Sequence, residues 1–505
     1  MPVDEAECWE RTGRPPITLK WVDRNKGDSV KENYRSHLVV REIKKAGQKL
    51  EDHELYSAMP PLEALKVLCS LMTTLKVSSK GKKLHMRLID ISRAHFYGES
   101  RRDVYTNLPE GEEQPGKCAK LVRTMYGTQD ASSVWQETYT SLLREHGVQN
   151  GTAWPAIFFD PTTEARFMVH GDDFVIVGDE DAQNHIEQIL AKKFEFRVDG
   201  ALGPGAKRNV MTVLNRLIEY DEASGVLKYE ADPRHAQLIV KGLSLEGGKP
   251  VNTPGEKLSS EDAFKEFPAL DAERASLYRS LTMRAAYLSL DRADIAETTK
   301  NLARSMATPD ELAWSRLKRL GRFLLGKPRV VQEFRPQPMY NKLRVFCDSD
   351  HAGCVRTRKS TTGIVAMAGQ HVLKSTSNLQ STIALSSGES EYYAIVKGSA
   401  TALGIRALYA EWNLDLSCMV LSDSSAARGM CSRRGLGKTR HVQTRFLWVQ
   451  HKVHEKEIEL VSVGTDKNVS DLCTKAVPHD VCAKHMSAIG QHYASGSSAA
   501  AKGVT

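Results

Sequence analysis

Residues Phe167 to Gly178, FMVHGDDFVIVG, constrain this chain more than any other stretch, because two apolar β-forming runs flank a glycine and two adjacent aspartates. Val, Ile and Phe favour extended backbone and Gly171 permits a tight turn, so the stretch predicts a β-hairpin with Asp172 and Asp173 at its tip. Two neighbouring carboxylates beside so much apolar surface repel one another and are costly to leave uncompensated. A hard divalent cation such as magnesium suits an oxygen pair of this kind. A solvated turn has the same local sequence, since Asp and Gly are ordinary turn residues. A third carboxylate from elsewhere in the chain decides between the two.

A chain of 505 residues exceeds one hydrophobic core, and at roughly 150 residues per unit about three units are expected. The net charge of +8 comes with basic clusters at Lys80–Lys83, Arg316–Arg329 and Arg433–Arg445. Such clusters point toward polyanions, although for any single one a solvated face is the simpler account. The nine cysteines form no CxxC pair, so neither a zinc ribbon nor a disulfide framework is indicated and a reducing compartment is expected. No apolar run is long enough to span a bilayer, and no secretion signal follows Met1. The expected location is therefore intracellular, cytoplasmic or else nuclear, without a membrane partner.

In chain order, Trp21-Val22 and His37–Arg41 read as short strands around a loop at Lys26-Gly27-Asp28, and Pro60-Pro61 opens a helix carrying Leu65, Leu68, Cys69 and Met72. Leu88-Ile89-Asp90-Ile91 is a buried-strand pattern containing a carboxylate, either a capped or paired structural Asp or, as the hairpin's need for a partner favours, its third acid. A helix with Trp135, Tyr139 and Leu142-Leu143 on its apolar face follows the Tyr126-Gly127 turn, and a second, with Ile186, Ile189, Leu190 and Phe194, follows the hairpin. Residues 200–270 are rich in loops and 272–326 strongly helical, and Lys327-Pro328 marks a boundary. Beyond it, strands ending in Asp348 and Asp423, a long helix with Glu389 and Glu391, and a last helix with Asp471 in its first turn imply an α/β unit with a carboxylate cluster at one sheet edge.

Several blocks carry a resemblance: CDSDHAG around Asp348, RKSTTG at Arg358–Gly363, SSGESEY at Ser386–Tyr392, SDS at Ser422–Ser424 and SDLCTK at Ser470–Lys475, preceded by LIDISRAHFYGES, KLVRTMYGTQDASSVW, VHGDD and YRSLTMRAAYLSLDRADI. By these the chain, from about Trp21 to Pro478, resembles the reverse transcriptase and RNase H portion of copia-type LTR retrotransposon Pol polyproteins. The resemblance implies an α+β polymerase of fingers, palm and thumb type followed by an α/β RNase H-like domain with a mixed sheet. Its expected parts are a fingers-like segment at 1–80, a palm at 81–240, a helical thumb or connection at 241–330, the RNase H-like domain at 331–480 and a disordered tail at 481–505. It makes Asp90, Asp172 and Asp173 the polymerase metal ligands, and Asp348, Glu391, Asp423 and Asp471 those of the RNase H. Glu389 is the competing residue on the same helix, and His441 matches the family's KHI position in a structural or substrate-side role. The implied cofactor is Mg2+ or Mn2+, and the implied partners are an RNA template, a DNA primer, dNTPs and an RNA–DNA hybrid.

The chain departs from the family at named positions. His170-Gly171 replaces the Tyr-Val before the paired acids, and Gln129-Asp130-Ala-Ser-Ser133 replaces KQAPR, placing a negative charge near a phosphate site. His95 replaces the Phe that screens the sugar 2′ position, and His37 takes the place of a cation in the fingers segment. A second reading rests on these departures: a decayed or repurposed fragment that binds nucleic acid without polymerising.

Overall fold

The stretch FMVHGDDFVIVG folds as its alternation predicts, with strands Arg166–His170 and Asp173–Gly178 joined by a two-residue turn, Gly171-Asp172. The turn needs Gly171 because its φ is +66°, where a side chain is strained. This computed structural model describes residues 1–25, 32–43 and 55–496, so the loop expected at Lys26-Gly27-Asp28 lies outside the described residues. The chain divides into two units, one built from residues 1–61 and 77–201 and the other from 62–76 and 202–498.

In the first unit the hairpin sits in a six-stranded sheet, in the order Phe196–Leu202, His85–Ile91, Asp173–Gly178, Arg166–His170, Ile157–Phe159, Gln149–Asn150. Helices Ala131–Glu145 and Glu180–Ala191 supply Trp135, Tyr139, Leu143, Ile186 and Leu190 to a core shared with Ile89, Phe167, Phe174 and Ile176 of the sheet. Strand side chains alternate between faces. Since Ile89, Ile91, Phe174 and Ile176 face the helices, Asp90 and Asp173 face the other way. Leu19–Asn25 and Tyr34–Val40 form a separate antiparallel ribbon, in accord with the two strands expected there.

The second unit holds two five-stranded sheets. The antiparallel one runs Val210–Val213, Arg216–Asp221, Val226–Ala231, Arg329–Phe334, Gln491–Ala494. A helical cluster from Arg234 to Gly326 packs its apolar faces into one core around Tyr278, Leu317, Leu320 and Phe323; helices were expected over 272–326, whereas Arg234–Gly242 and Ser260–Phe264 fall in the stretch expected to be rich in loops. The mixed sheet runs His371–Leu379, Thr361–Ala368, Lys342–Asp350, Ser417–Ser422, Ile458–Ser462, with Lys342–Asp350 antiparallel to one neighbour and parallel to the other. Helix Ser387–Glu411 lies so close to the central strand that a Cβ at Gly398 would collide with the Cys347 Sγ. The elements thus form the expected α+β part followed by an α/β part with a mixed sheet.

Three boundaries differ from those expected. The helix Glu63–Leu75 belongs to the second unit, tied there by Lys66 to Asp291 at 2.8 Å and by Ser70 to His371 at 2.9 Å. Lys327-Pro328 does not separate sheets, because Arg329–Phe334 pairs with the preceding Val226–Ala231. Residues 481–494 are not a tail: helix His479–Ala488 buries Cys482 and Met486, and strand Gln491–Ala494 closes the antiparallel sheet. Small polar residues dominate only after this strand, and their composition had masked four well-spaced core positions, Cys482, Met486, Ile489 and Tyr493. Among the described residues all nine cysteines are free, and no helix is long and apolar enough to cross a membrane.

Candidate active sites

Strands His85–Ile91 and Asp173–Gly178 are antiparallel neighbours in a register that sets Asp90 opposite Asp173, with Asp172 one residue away in the turn. Oxygens of the three acids lie within 4.8 Å of one another. The turn is fixed from both sides: Ile91 N donates to Asp172 O at 3.0 Å, and Trp135 Nε1 donates to Gly171 O at 2.8 Å. The indole therefore supports a turn that carries no apolar side chain at Gly171. Arg197 Nη2 approaches Asp90 at 3.5 Å, which offsets part of the repulsion.

Tyr126 flanks these acids. Burial, then the charges of Asp172 and Asp90, hold its hydroxyl above its ordinary pKa. His95 meets the Tyr126 ring edge-on at 4.6 Å, and His37 lies 5.8 Å away. Burial pushes the His95 ring below its ordinary pKa and keeps it neutral, so it acts here as an aromatic wall. Asp130 does not present a bare negative charge: it is buried and bonded to Arg102 at 2.9 Å, and Arg102 also grips both oxygens of Glu42 at 2.6 Å.

The second set stands at one edge of the mixed sheet. Asp348 comes from its central strand, Glu391 from the first turns of helix Ser387–Glu411, and Asp423 from the residue after strand Ser417–Ser422. Oxygens of these three also lie within 4.8 Å. Asp471 sits in the short 3-10 helix Val469–Cys473, outside that grouping, and pairs with Lys475 at 3.0 Å. The acids are oriented by donors: Ser349 N to Glu391 Oε1 at 3.2 Å, Thr465 Oγ1 to Asp423 at 2.9 Å, and the Thr474 hydroxyl to Asp348.

Burial, then the nearby Asp471 charge, pushes Asp348 up to about 6, while burial and the charges of Asp348 and Asp423 push Glu391 up to about 9. Glu391 Oε2 is buried with no hydrogen-bond donor. An orphaned carboxylate oxygen aimed into a ring of acids fits a divalent cation. Glu389 goes elsewhere: it is fully buried and accepts from Tyr393 OH at 2.7 Å, Leu385 N at 3.1 Å and His441 Nε2 at 2.8 Å. His441 thus pairs with the glutamate that does not join the cluster.

All seven acids predicted from sequence fall at these two places, six within the two tight groupings and Asp471 beside the second. Sequence reasoning gave no site role to Tyr126, Trp135, Arg197 or Lys475. Lys475 was visible in the SDLCTK block, four residues after Asp471, a spacing that brings side chains together on a helical turn.

Residues 10–206 match a family described as reverse transcriptase (RNA-dependent DNA polymerase). Over 502 residues the chain is 25% identical to the retrovirus-related Pol polyprotein from transposon TNT 1-94 of Nicotiana tabacum, a match covering 95% of this chain and 36% of that protein. It is 30% identical over 168 residues to the uncharacterized mitochondrial protein AtMg00810 of Arabidopsis thaliana, covering 33% of this chain and 68% of that one. A solved structure of the foamy viral protease-reverse transcriptase dRH in complex with ds DNA aligns with 92% of this chain and 67% of its own, at 10% identity and a TM-score of 0.48. The chain spans about a third of the length of the Pol polyproteins it matches.

Proposed function

We propose that this chain, which belongs to the copia-type retrotransposon Pol family, is an RNA-directed DNA polymerase whose second unit hydrolyses the RNA strand of an RNA–DNA hybrid. The observation that carries this reading is the presence of two separate three-carboxylate groupings in one chain, each with acids from strands distant in sequence. Like charges at such distances repel, and a divalent cation would compensate them.

At the first grouping Asp90, Asp172 and Asp173 would hold Mg2+, with an RNA template, a DNA primer and dNTPs as substrates. At the second, Asp348, Glu391 and Asp423 would hold Mg2+ against a hybrid, with Asp471 beside them. Divalent cations held by such carboxylates favour an ionised attacking oxygen and neutralise charge on the phosphate oxygens. The protein's own part is positioning. The Gly171 carbonyl bonded to Trp135 fixes the turn that carries Asp172 and Asp173. Donation from Ser349, Thr465 and Thr474 fixes the lone-pair directions of Glu391, Asp423 and Asp348. A carboxyl pushed up to about 9 would have to lose its proton to hold a cation, so Glu391 would link cation binding to proton release.

The test is primer extension on an RNA template with Mg2+ or Mn2+, beside cleavage of a labelled hybrid. Asp172→Asn/Asp173→Asn is expected to abolish extension and spare cleavage, and Glu391→Gln to do the reverse. Hybrid binding with neither activity would sink this reading in favour of a nucleic-acid-binding fragment.

A further inference from the structure

The second acid set is not filled by carboxylates alone. Lys475 Nζ lies 3.0 Å from Asp471 Oδ1 and 4.0 Å from Asp348 Oδ2, between the two acids that face one another across that side of the cluster. Both acids are buried, with side chains 10% and 7% exposed, whereas the Lys475 side chain is 49% exposed. On the opposite side Glu391 and Asp423 form no ion pair with Lys475, although its charge reaches both, and Glu391 Oε2, like Asp471 Oδ1, is buried without a hydrogen-bond donor. The two sides of one site are thus compensated differently.

We propose that Lys475 is a positioning residue that serves as the resident counter-cation of the Asp348–Asp471 side, and that a divalent cation bridging those two carboxylates binds only once Lys475 withdraws. This rests on the reading of the second acid set as a cation-dependent hydrolytic site. A unit positive charge 3.0 Å from one ligand and 4.0 Å from the other opposes entry of a second positive charge at the same place. The ammonium has somewhere to go. A cavity of about 470 Å3 opens beside Thr474 and Lys475; Glu297, which already pairs with Lys300 at 3.9 Å, and Asp350, which accepts from Thr361 N, stand in its wall with Lys300 and Arg304. Because the stem is half exposed, withdrawal takes a change of rotamer without opening the core. Lys475 therefore acts most strongly on the Asp348–Asp471 side, where it is ion-paired, and more weakly on Glu391 and Asp423, which its charge reaches without an ion pair.

The experiment is Mn2+ titration of the full chain, followed by electron paramagnetic resonance of free Mn2+, in an Asp172→Asn/Asp173→Asn background that silences the first acid set. Lys475→Met is expected to tighten the weaker of two binding events by at least about tenfold and to leave the tighter one within about twofold. Lys475→Arg, which keeps a cation there, is expected to retain the parental pattern. Thermal melting gives a second readout. Without metal, Lys475→Met is expected to melt below its parent, and added Mn2+ to raise its melting temperature further than it raises the parent's. If Lys475→Met changes neither event, or shifts both equally, the inference is overturned while the site reading stands, provided Asp348→Asn still abolishes binding. If Mn2+ binding survives Asp348→Asn unchanged, the site reading falls and the inference with it.

Discussion

Asp90 and Asp173 stand directly opposite one another in an antiparallel ladder, the second strand contributing the acid next to the turn and the first an acid within an otherwise apolar run. Like charges directly opposite destabilise a sheet, and this pair is partly relieved by Arg197 at 3.5 Å from Asp90. Asp173→Asn is therefore expected to raise metal-free stability slightly while lowering primer extension by at least about a hundredfold. Denaturant melts in EDTA beside extension assays check both. A large loss of stability would mean that the acid serves the fold and not the chemistry.

The turn depends on Trp135. Trp135→Phe keeps the ring packing against Tyr139 and Phe194 but removes the bond to Gly171 O at 2.8 Å. A cost of about 1 kcal/mol is expected from the unpaired carbonyl, with extension reduced about tenfold through misplacement of Asp172. Hybrid cleavage by the same variant should stay at the parental rate, and a parallel fall in both activities would point to general unfolding.

Glu389 and Glu391 sit two positions apart on one helix and carry different duties. Glu391 is held largely protonated by burial and by its acidic neighbours, so Glu391→Gln is expected to alter metal-free stability by less than about 1 kcal/mol while abolishing hybrid cleavage. Glu389 accepts three hydrogen bonds in a fully buried position, so Glu389→Ala is expected to cost about 2–4 kcal/mol. Equilibrium urea unfolding of both variants distinguishes the two, and reversed effects would exchange their roles.

His371 makes stability depend on acid. Its Nε2–H donates to Arg335 O at 2.8 Å, so its Nδ1 is the acceptor for the Ser70 hydroxyl and Gln337 Nε2, each at 2.9 Å. Burial pushes the ring from 6.5 down to about 4. The unfolded chain therefore binds a proton that the folded one refuses. The contribution of the neutral ring is complete above pH 6.5, shrinks as the pH falls, and is lost by about pH 4, a change of about 3 kcal/mol. The difference in unfolding free energy between the parent and His371→Gln, measured from pH 7 to pH 4, should narrow by an amount of this order. A difference that does not vary with pH would refute the assignment.

The sequence by itself determined the local choices. Alternating Val, Ile and Phe around Gly171 specified a hairpin with acid at its tip, and apolar spacing at Ile186, Ile189 and Leu190 specified the helix that follows. The motif blocks picked out all seven acids and preferred Glu391 over Glu389, because periodicity and residue type are properties of a few neighbouring positions. What only the tertiary structure decided depends on partners far away in the chain. Strand His85–Ile91 meets Asp173–Gly178 in one register because that register buries Ile89, Phe174 and Ile176 together, and a slip of one residue would turn Asp90 into the helix layer. The helix Glu63–Leu75 joined the second unit through Lys66 and Ser70, whose partners Asp291 and His371 lie more than 200 residues away. In the same way Lys475 acquired Asp348 as a neighbour at 4.0 Å, from a distant part of the chain that no local pattern names.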